Sequence, residues 1–450
     1  MKKLIHKAEI VNEGRKYKGS VLLENDRIKA IYTSDEDFSV SADTEIIEAS
    51  GMLLLPGLID DQVHFREPGL THKADISSET RAAVAGGVTS IMEMPNTIPQ
   101  TTTHEALKAK QEIAKKKSLC NYSFYFGATN DNIDEIRIID PATTCGVKVF
   151  MGASTGNMLV DNIDSLRRIF AEAPVLVACH CEDEQSIRLN MKKYTEEFGE
   201  DIPVRFHPLI RSREACFKSS SLAVKLAGEF NTRLHILHLS TAAEIDLFNN
   251  SMPLEEKRIT AEACVHHLWF DDTDYEKKGT LIKWNPAIKT AFDRRALIEG
   301  INNDKIDIIA TDHAPHTIKE KQNSYAQAPS GGPLIQHSLV AMLDLSKQGK
   351  ISIETLVEKM CHNPAIVFNI IDRGFIREGY KADLCLVRPD SPWTVTKENI
   401  LYKCKWSPFE GQSFSSSVEK TFVNGQLVYD RGWINEGLRG ELLTFKRPNR

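Results

Sequence analysis

The sequence predicts an α/β protein, a (β/α)8 TIM barrel carrying a small β-sandwich domain assembled from both chain ends. Three observations predict it. Eight short apolar runs alternate with longer amphipathic stretches through the middle of the chain. Both ends carry short alternating runs separated by turn residues and no helical period. The polar residues able to do chemistry sit at the C-terminal ends of the central runs, where barrel enzymes place their sites.

At the N-terminal end, 28–32 alternates loosely, and Glu24-Asn25-Asp26 supplies a turn between two strand-like runs. At the C-terminal end, 382–387 and 420–429 read the same way, the second interrupted by the hairpin pair Asn424-Gly425. Neither end can close a core alone, so segments 1–50 and 375–450 are expected to pair into one β domain around a barrel over 51–374. The expected barrel strands are 53–65, 88–94, 122–127, 146–151, 175–181, 234–239, 259–264 and 306–312. Helices are expected over 73–85, 103–116, 214–229 and 293–302. Segment 318–332 is polar and punctuated by Gly and Pro, which predicts a loop; its place just after 306–312 suits a lid.

Composition excludes several classes. A formal net charge of -6 argues against a nucleic-acid binder, which shows a basic face. Nine scattered cysteines, odd in number and without a CxxC pair, fit a reducing compartment. The start, MKKLIHKAEIVNEG, lacks the apolar stretch of a signal peptide, and the longest apolar run is broken by Pro56 and Gly57. The expectation is a cytoplasmic protein acting on a small molecule, with no nucleic acid and no membrane.

In IDDQVHFREPG, residues Asp60, Gln62, His64 and Arg66 are spaced by two, which on a strand puts them on one face, with Val63 and Phe65 on the other. Lys148 lies within GVKVF, His180 ends VLVACH, His238 ends LHILH, and Asp312 ends IDIIATD, followed by His313 and His316. Imidazoles and a carboxylate from separate strand ends suit zinc or a similar first-row ion. An ammonium has no lone pair to donate. Buried beside a metal, Lys148 should lose its proton, and the neutral amine could take up carbon dioxide as a carbamate bridging two ions. Alternation turns Cys179 and Cys181 into the core, and His266-His267 reads as structural.

Taken in order, PGLIDDQVHFREPG, MPNT, GVKVF, HCED, HILHLS, WNPAIK, ATDHAPH and HNPA resemble the amidohydrolase superfamily and, within it, the dihydroorotases. The resemblance runs over nearly the whole chain, including the GYKADLCLV stretch of the returning β domain. It implies that His64, Lys148 as a carboxylysine, His180, His238 and Asp312 are metal ligands. It also implies that Arg66, Asn96 and His316 hold the substrate carboxylate, and that Asn285 meets the polar edge of the pyrimidine ring. An arginine fork matches a carboxylate bidentately. The implied reaction is reversible closure of N-carbamoyl-L-aspartate to L-dihydroorotate in pyrimidine synthesis. A metal-activated hydroxide would act there with Asp312 as general acid/base. Association with a transcarbamoylase, or a homodimer, belongs to the same expectation.

One position departs from the family. His-x-His is usual on the first strand, and here Gln62-Val63-His64 stands instead. A Gln amide oxygen is a weak, neutral ligand for zinc. Gln62 is therefore either a poor ligand or a hydrogen-bond donor behind one, and one ion or two remain open. Two other readings stay in play. An allantoinase or dihydropyrimidinase would have no substrate carboxylate for Arg66, and a non-catalytic scaffold would account for Gln62.

Overall fold

The structure, a computed structural model, describes residues 2–33, 41–152 and 158–446 of the chain. The two chain ends share one nine-stranded sheet. Its order is Trp433–Ile434, Gln426–Asp430, Ser417–Val423, Leu384–Arg388, Leu53–Pro56, Lys2–Asn12, Arg15–Glu24 and Arg27–Tyr32, with Glu45–Glu48 pairing on Lys2–Asn12. The turn residues do the work their chemistry allows. Asn25, Asn424 and Gly425 all take positive φ, as tight hairpin turns require. A side chain on Gly425 would collide with the Asn25 carbonyl, so the two hairpin tips touch backbone to backbone.

The 53–65 run is not one strand. It breaks at Pro56-Gly57: Leu53–Pro56 joins the sheet of the chain ends, and Leu58–Val63 joins a parallel sheet. Proline has no N–H for a ladder. The Gly57 N–H donates instead to the Asp383 carbonyl at 2.8 Å, and any Cβ on Gly57 would strike Thr89. The chain therefore changes sheets at its closest approach to a neighbour.

Parallel pairing then runs through the centre. Leu58–Val63, Val88–Glu93 and Asn121–Phe124 form a three-stranded sheet. After Tyr125 the same chain continues as Phe126–Gly127, which begins a second sheet through Val147–Phe150, Val177–His180, Leu234–Ile236, Ile259–Cys264 and Ile308–Ala310. Register aligns Lys148 with Ala178, Phe150 with His180, and Ile236 with Ala261. A parallel bridge of Val63 with His313, and a 2.7 Å hydrogen bond from His64 N–H to the His313 carbonyl, link the last strand's end back to the first.

Helices cover the outer side. The four expected helices are Ile76–Ala85, His104–Lys117, Arg213–Phe230 and Ala291–Asn302, each begun by an N-cap side chain, from Asp75, Thr103, Ser212 and Thr290. Segment 318–332 also opens with a turn of helix, Ile318–Lys321. Thr317 and Glu320 close a capping box there that the Thr-x-x-Glu spacing encodes. Val147, Val149, Val177, Cys179 and Cys181 pack outward against Leu166, Ile169, Phe170 and Leu226. Ile59, Met92, Tyr125, Ala178, Leu237 and Phe368 form a separate cluster. Each fully buried aliphatic side chain contributes roughly 1.5–3 kcal/mol, so these layers hold the strand ends in place. Among the described residues no helix is long and apolar enough to cross a membrane.

Candidate active site

Several of the site residues lie past the strands, where the backbone turns. Arg66, His238 and Asp312 all have positive φ, of 67°, 42° and 46°, and the pairing of Leu58–Val63 shifts register between Asp60 and Val63. The two-residue alternation of Asp60, Gln62, His64 and Arg66 therefore does not continue along one regular strand. Tertiary contacts aim these side chains instead.

His180 and His238 face each other. His180 Nδ1 lies 3.0 Å from His238 Nε2, with the rings 4.8 Å apart and nearly perpendicular. On its other side, His180 Nε2 lies 3.0 Å from Glu182 Oε2. A carboxylate at Nε2 makes that nitrogen the N–H, so the Nδ1 lone pair points at His238. Burial opposes the Glu182 charge, but Arg211 and then His180 hold its pKa down at about 2. His238 Nδ1 is buried and accepts or donates no hydrogen bond among the described residues. Burial pushes both imidazoles below their usual pKa, His238 well below, so both rings are neutral.

Lys148 is almost fully buried, its Nζ 4.5 Å from the centre of the Phe150 ring. Burial brings its pKa down to about 8. Its charge acts against protonation of His64, His180 and His238, so the amine shares their electrostatic environment.

A second group gathers on Asp312. His64 Nε2 lies 3.1 Å from Asp312 Oδ1, and His64 Nδ1 lies 2.8 Å from Asn96 Oδ1. The Gln62 side-chain amide donates from Nε2 to the same Asp312 Oδ1 at 3.2 Å, while its Oε1 accepts from the Cys264 thiol at 3.6 Å. Gln62 thus presents its nitrogen, not its oxygen, to the carboxylate. Behind this group Phe65 N–H donates to Glu93 Oε1 at 3.1 Å, tying the ends of the first two strands together, and the buried Glu93–Lys110 ion pair anchors that carboxylate to the helix His104–Lys117.

Arg66 and His316 form the third group. Arg66 donates from Nε to the Pro315 carbonyl at 3.0 Å, and its terminal nitrogen lies 3.1 Å from His316 Nε2. The guanidinium is buried and makes no salt bridge among the described residues. Burial lowers its pKa to about 10, so it stays charged at neutral pH. Lys73 Nζ lies 3.0 Å from His316 Nδ1 and pairs with Glu320 at 2.9 Å. Asn285 has a buried Oδ1 that accepts no hydrogen bond among the described residues.

The segment after His316 is tied down by two buried lysines. Lys321 Nζ donates to the carbonyls of Lys283, Pro329 and Gly331, and Lys283 Nζ to those of Tyr325 and Ala328.

Sequence reasoning passed over Glu182, Lys73 and a buried group below the site. Glu182 stands in the quoted HCED run, and an acid two residues after a ligand histidine was a readable signal. The buried group is Asp61, His235 and Glu262, all fully inaccessible. Strict alternation would turn Asp61 to the face of Val63, so no local signal marks it. Asp60 was placed on the mouth face, yet it hydrogen-bonds Thr311 Oγ1 at 2.6 Å, and burial pushes its carboxyl up to about 7. His266 stacks on Trp284 with ring centres 4.4 Å apart, and His267 Nε2 meets the Pro286 carbonyl at 3.1 Å.

The donor set fits a first-row cation on two grounds. Glu182 and Asn96 fix the histidine tautomers so that His180 Nδ1 and His64 Nε2 carry the free lone pairs. His238 Nδ1 and Glu182 Oε1 are buried polar atoms without partners among the described residues, as in a constellation built around a charge.

Comparison with known proteins identifies a family. Residues 53–428 match the Amidohydrolase family. The chain is 31% identical over 410 residues to a dihydroorotase of Methanosphaera stadtmanae, covering 91% of this chain and 92% of that protein. It is also 31% identical to a dihydroorotase of Pyrococcus furiosus, over 98% of each chain. Among solved structures it is similar to the L-hydantoinase (dihydropyrimidinase) of Arthrobacter aurescens. The TM-score is 0.91 at 26% identity, over 98% of this chain and 99% of that one.

Proposed function

The chain belongs to the amidohydrolase family, and from that premise we propose that it is a dihydroorotase, interconverting N-carbamoyl-L-aspartate and L-dihydroorotate in pyrimidine (UMP) synthesis. One observation favours this over a hydantoinase or allantoinase: Arg66 is a buried guanidinium with no carboxylate partner among the described residues. Asp312, Glu93 and Glu320 attract this charge without pairing to it, and a substrate carboxylate would meet it directly and bidentately. Hydantoin-type rings bring no such group.

His180, His238 and Lys148, the last as a carbamate, would hold a zinc ion, with His64 and Asp312 beside it. When bound, such a cation supplies a water acidified to about pKa 7 and polarises the ring carbonyl. Asp312 takes a proton on its carboxylate and passes it to the ring nitrogen, held in place by the Gln62 amide. Gln62 acts as a hydrogen-bond donor to Asp312, since its amide nitrogen has no lone pair to offer a metal. Arg66, His316 and Asn96 orient the substrate carboxylate, Asn285 offers its free Oδ1 to a ring N–H, and segment 318–332 covers the mouth.

The circuit of parallel pairings, returning from His313 to Val63, supports a closed (β/α)8 barrel over 51–374. The sheet shared by the two chain ends and Leu53–Pro56, with Ile5, Val21, Leu54, Leu384 and Phe422 in one core cluster, supports a small domain of β-sandwich type drawn from 1–50 and 375–450. We place the enzyme in the cytoplasm, as a homodimer or beside a transcarbamoylase, which sizing with and without that partner checks. The central test is turnover of purified protein on dihydroorotate, hydantoin and allantoin, before and after chelation. Chelator-sensitive turnover of dihydroorotate is expected. Preference for either uncarboxylated ring overturns the assignment.

A further inference from the structure

We propose that Asp61, His235 and Glu262 form a second cation site, enclosed inside the ring of parallel strands and separate from the one at the strand ends. The three come from different strands: Leu58–Val63, Leu234–Ile236 and Ile259–Cys264. One ligand atom from each lies within 4.8 Å of the others, and all three side chains are inaccessible.

The spacing is that of ligands. His235 Nε2 lies 3.4 Å from Asp61 Oδ2 and 3.3 Å from Glu262 Oε2. Charge-assisted N–H···O bonds run shorter, about 2.7–2.9 Å. Two donors bound tetrahedrally at about 2.0–2.1 Å stand roughly 3.3–3.4 Å apart, the edge of that tetrahedron. The tautomer agrees. Thr260 Oγ1 gives its proton to the Leu234 carbonyl at 3.3 Å, so it accepts from His235 Nδ1, 2.8 Å away. That leaves Nε2 facing two carboxylates; burial opposes a charge on the ring, but Asp61 and Glu262 raise its pKa to about 9, so a cation there would take the place of the Nε2 proton.

The partners are incomplete without a cation. Neither Asp61 oxygen accepts a hydrogen bond among the described residues. Glu262 Oε1 accepts from the His238 backbone N–H at 3.0 Å, which leaves Oε2 for the cluster. Burial and the neighbouring Asp61 push the Glu262 carboxyl up to about 8, because two carboxylates side by side in a dry interior need a matching charge. A divalent ion balances them, and one imidazole with two carboxylates suits zinc or a neighbouring first-row ion. Through Glu262, the ion would brace the backbone turn that presents His238.

This inference does not depend on the substrate assigned above. The probe is Zn²⁺. Protein purified with zinc, then dialysed against chelator, is analysed for metal by mass spectrometry as wild type, Asp61→Asn and His180→Ala/His238→Ala. The interior ion is expected to survive dialysis, to persist in the double variant, and to fall by about one equivalent in Asp61→Asn. Zinc-edge anomalous diffraction of the wild type, which needs no variant to fold, is expected to show a peak between the three side chains. Absence of that peak, or equal zinc content in wild type and Asp61→Asn, overturns the proposal in favour of a shared proton.

Discussion

Gln62 and Asp312, 250 residues apart in the chain, are joined by a 3.2 Å hydrogen bond in which the glutamine is the donor. A histidine at this position would offer a lone pair. The glutamine spends its amide on the carboxylate and turns its oxygen to Cys264. The departure from His-x-His thus keeps the carboxylate oriented while removing a metal donor. Gln62→His is expected to add about one equivalent of zinc at the strand-end site, read by metal analysis. Unchanged zinc would mean the space cannot take an imidazole as ligand.

Arg66 is the residue on which substrate class turns. Arg66→Ala should raise KM for dihydroorotate by about 10- to 100-fold, the loss of one or two charge-assisted bonds. Arg66→Lys should recover little, because an ammonium cannot reproduce the fork. Steady-state kinetics on both variants checks this. An unaltered KM would remove Arg66 from carboxylate binding.

Asp312→Asn keeps the shape and removes the proton acceptor. We expect kcat to fall by about 10²–10⁴-fold with KM little changed. A comparable loss in KM would show instead that Asp312 mainly binds.

Glu182 sets the His180 tautomer from behind. Glu182→Gln can present a carbonyl to the same N–H but loses the charge that Arg211 supports. Zinc affinity at the strand ends should drop about 10- to 100-fold, measured by competition with a chromogenic chelator. Equal affinity would reduce Glu182 to an ion-pair partner of Arg211.

Lys321 holds segment 318–332 through three backbone carbonyls, so Lys321→Met leaves them without a buried donor. Stability is expected to fall by about 1–3 kcal/mol in denaturant titration. Amide exchange should quicken over 322–331. Exchange that rises everywhere alike would argue against a local tie.

The strand–helix alternation and the helix caps were legible because they are local. A strand's period of two and a Thr-x-x-Glu cap are carried by neighbours a few residues apart. The 53–65 run was misjudged as one strand because apolarity continues across Pro56-Gly57. Only the close approach of Thr89 and Asp383 shows that the chain changes sheets there. Asp61 was missed for a related reason. Simple alternation would turn it outward, whereas the register shift between Asp60 and Val63 turns it toward His235 and Glu262.

By itself the sequence determined which chemical groups stand near the ends of which strands, and their order along the chain. Tertiary structure alone decided which atom each group presents: the nitrogen rather than the oxygen of Gln62, Nδ1 rather than Nε2 of His180. The physical reason is that a rotamer or tautomer answers to its hydrogen-bond partner. For Gln62 that partner is Asp312, 250 residues away; for His180 it is Glu182, two residues on, and the fold decides that the Nδ1 so freed meets His238.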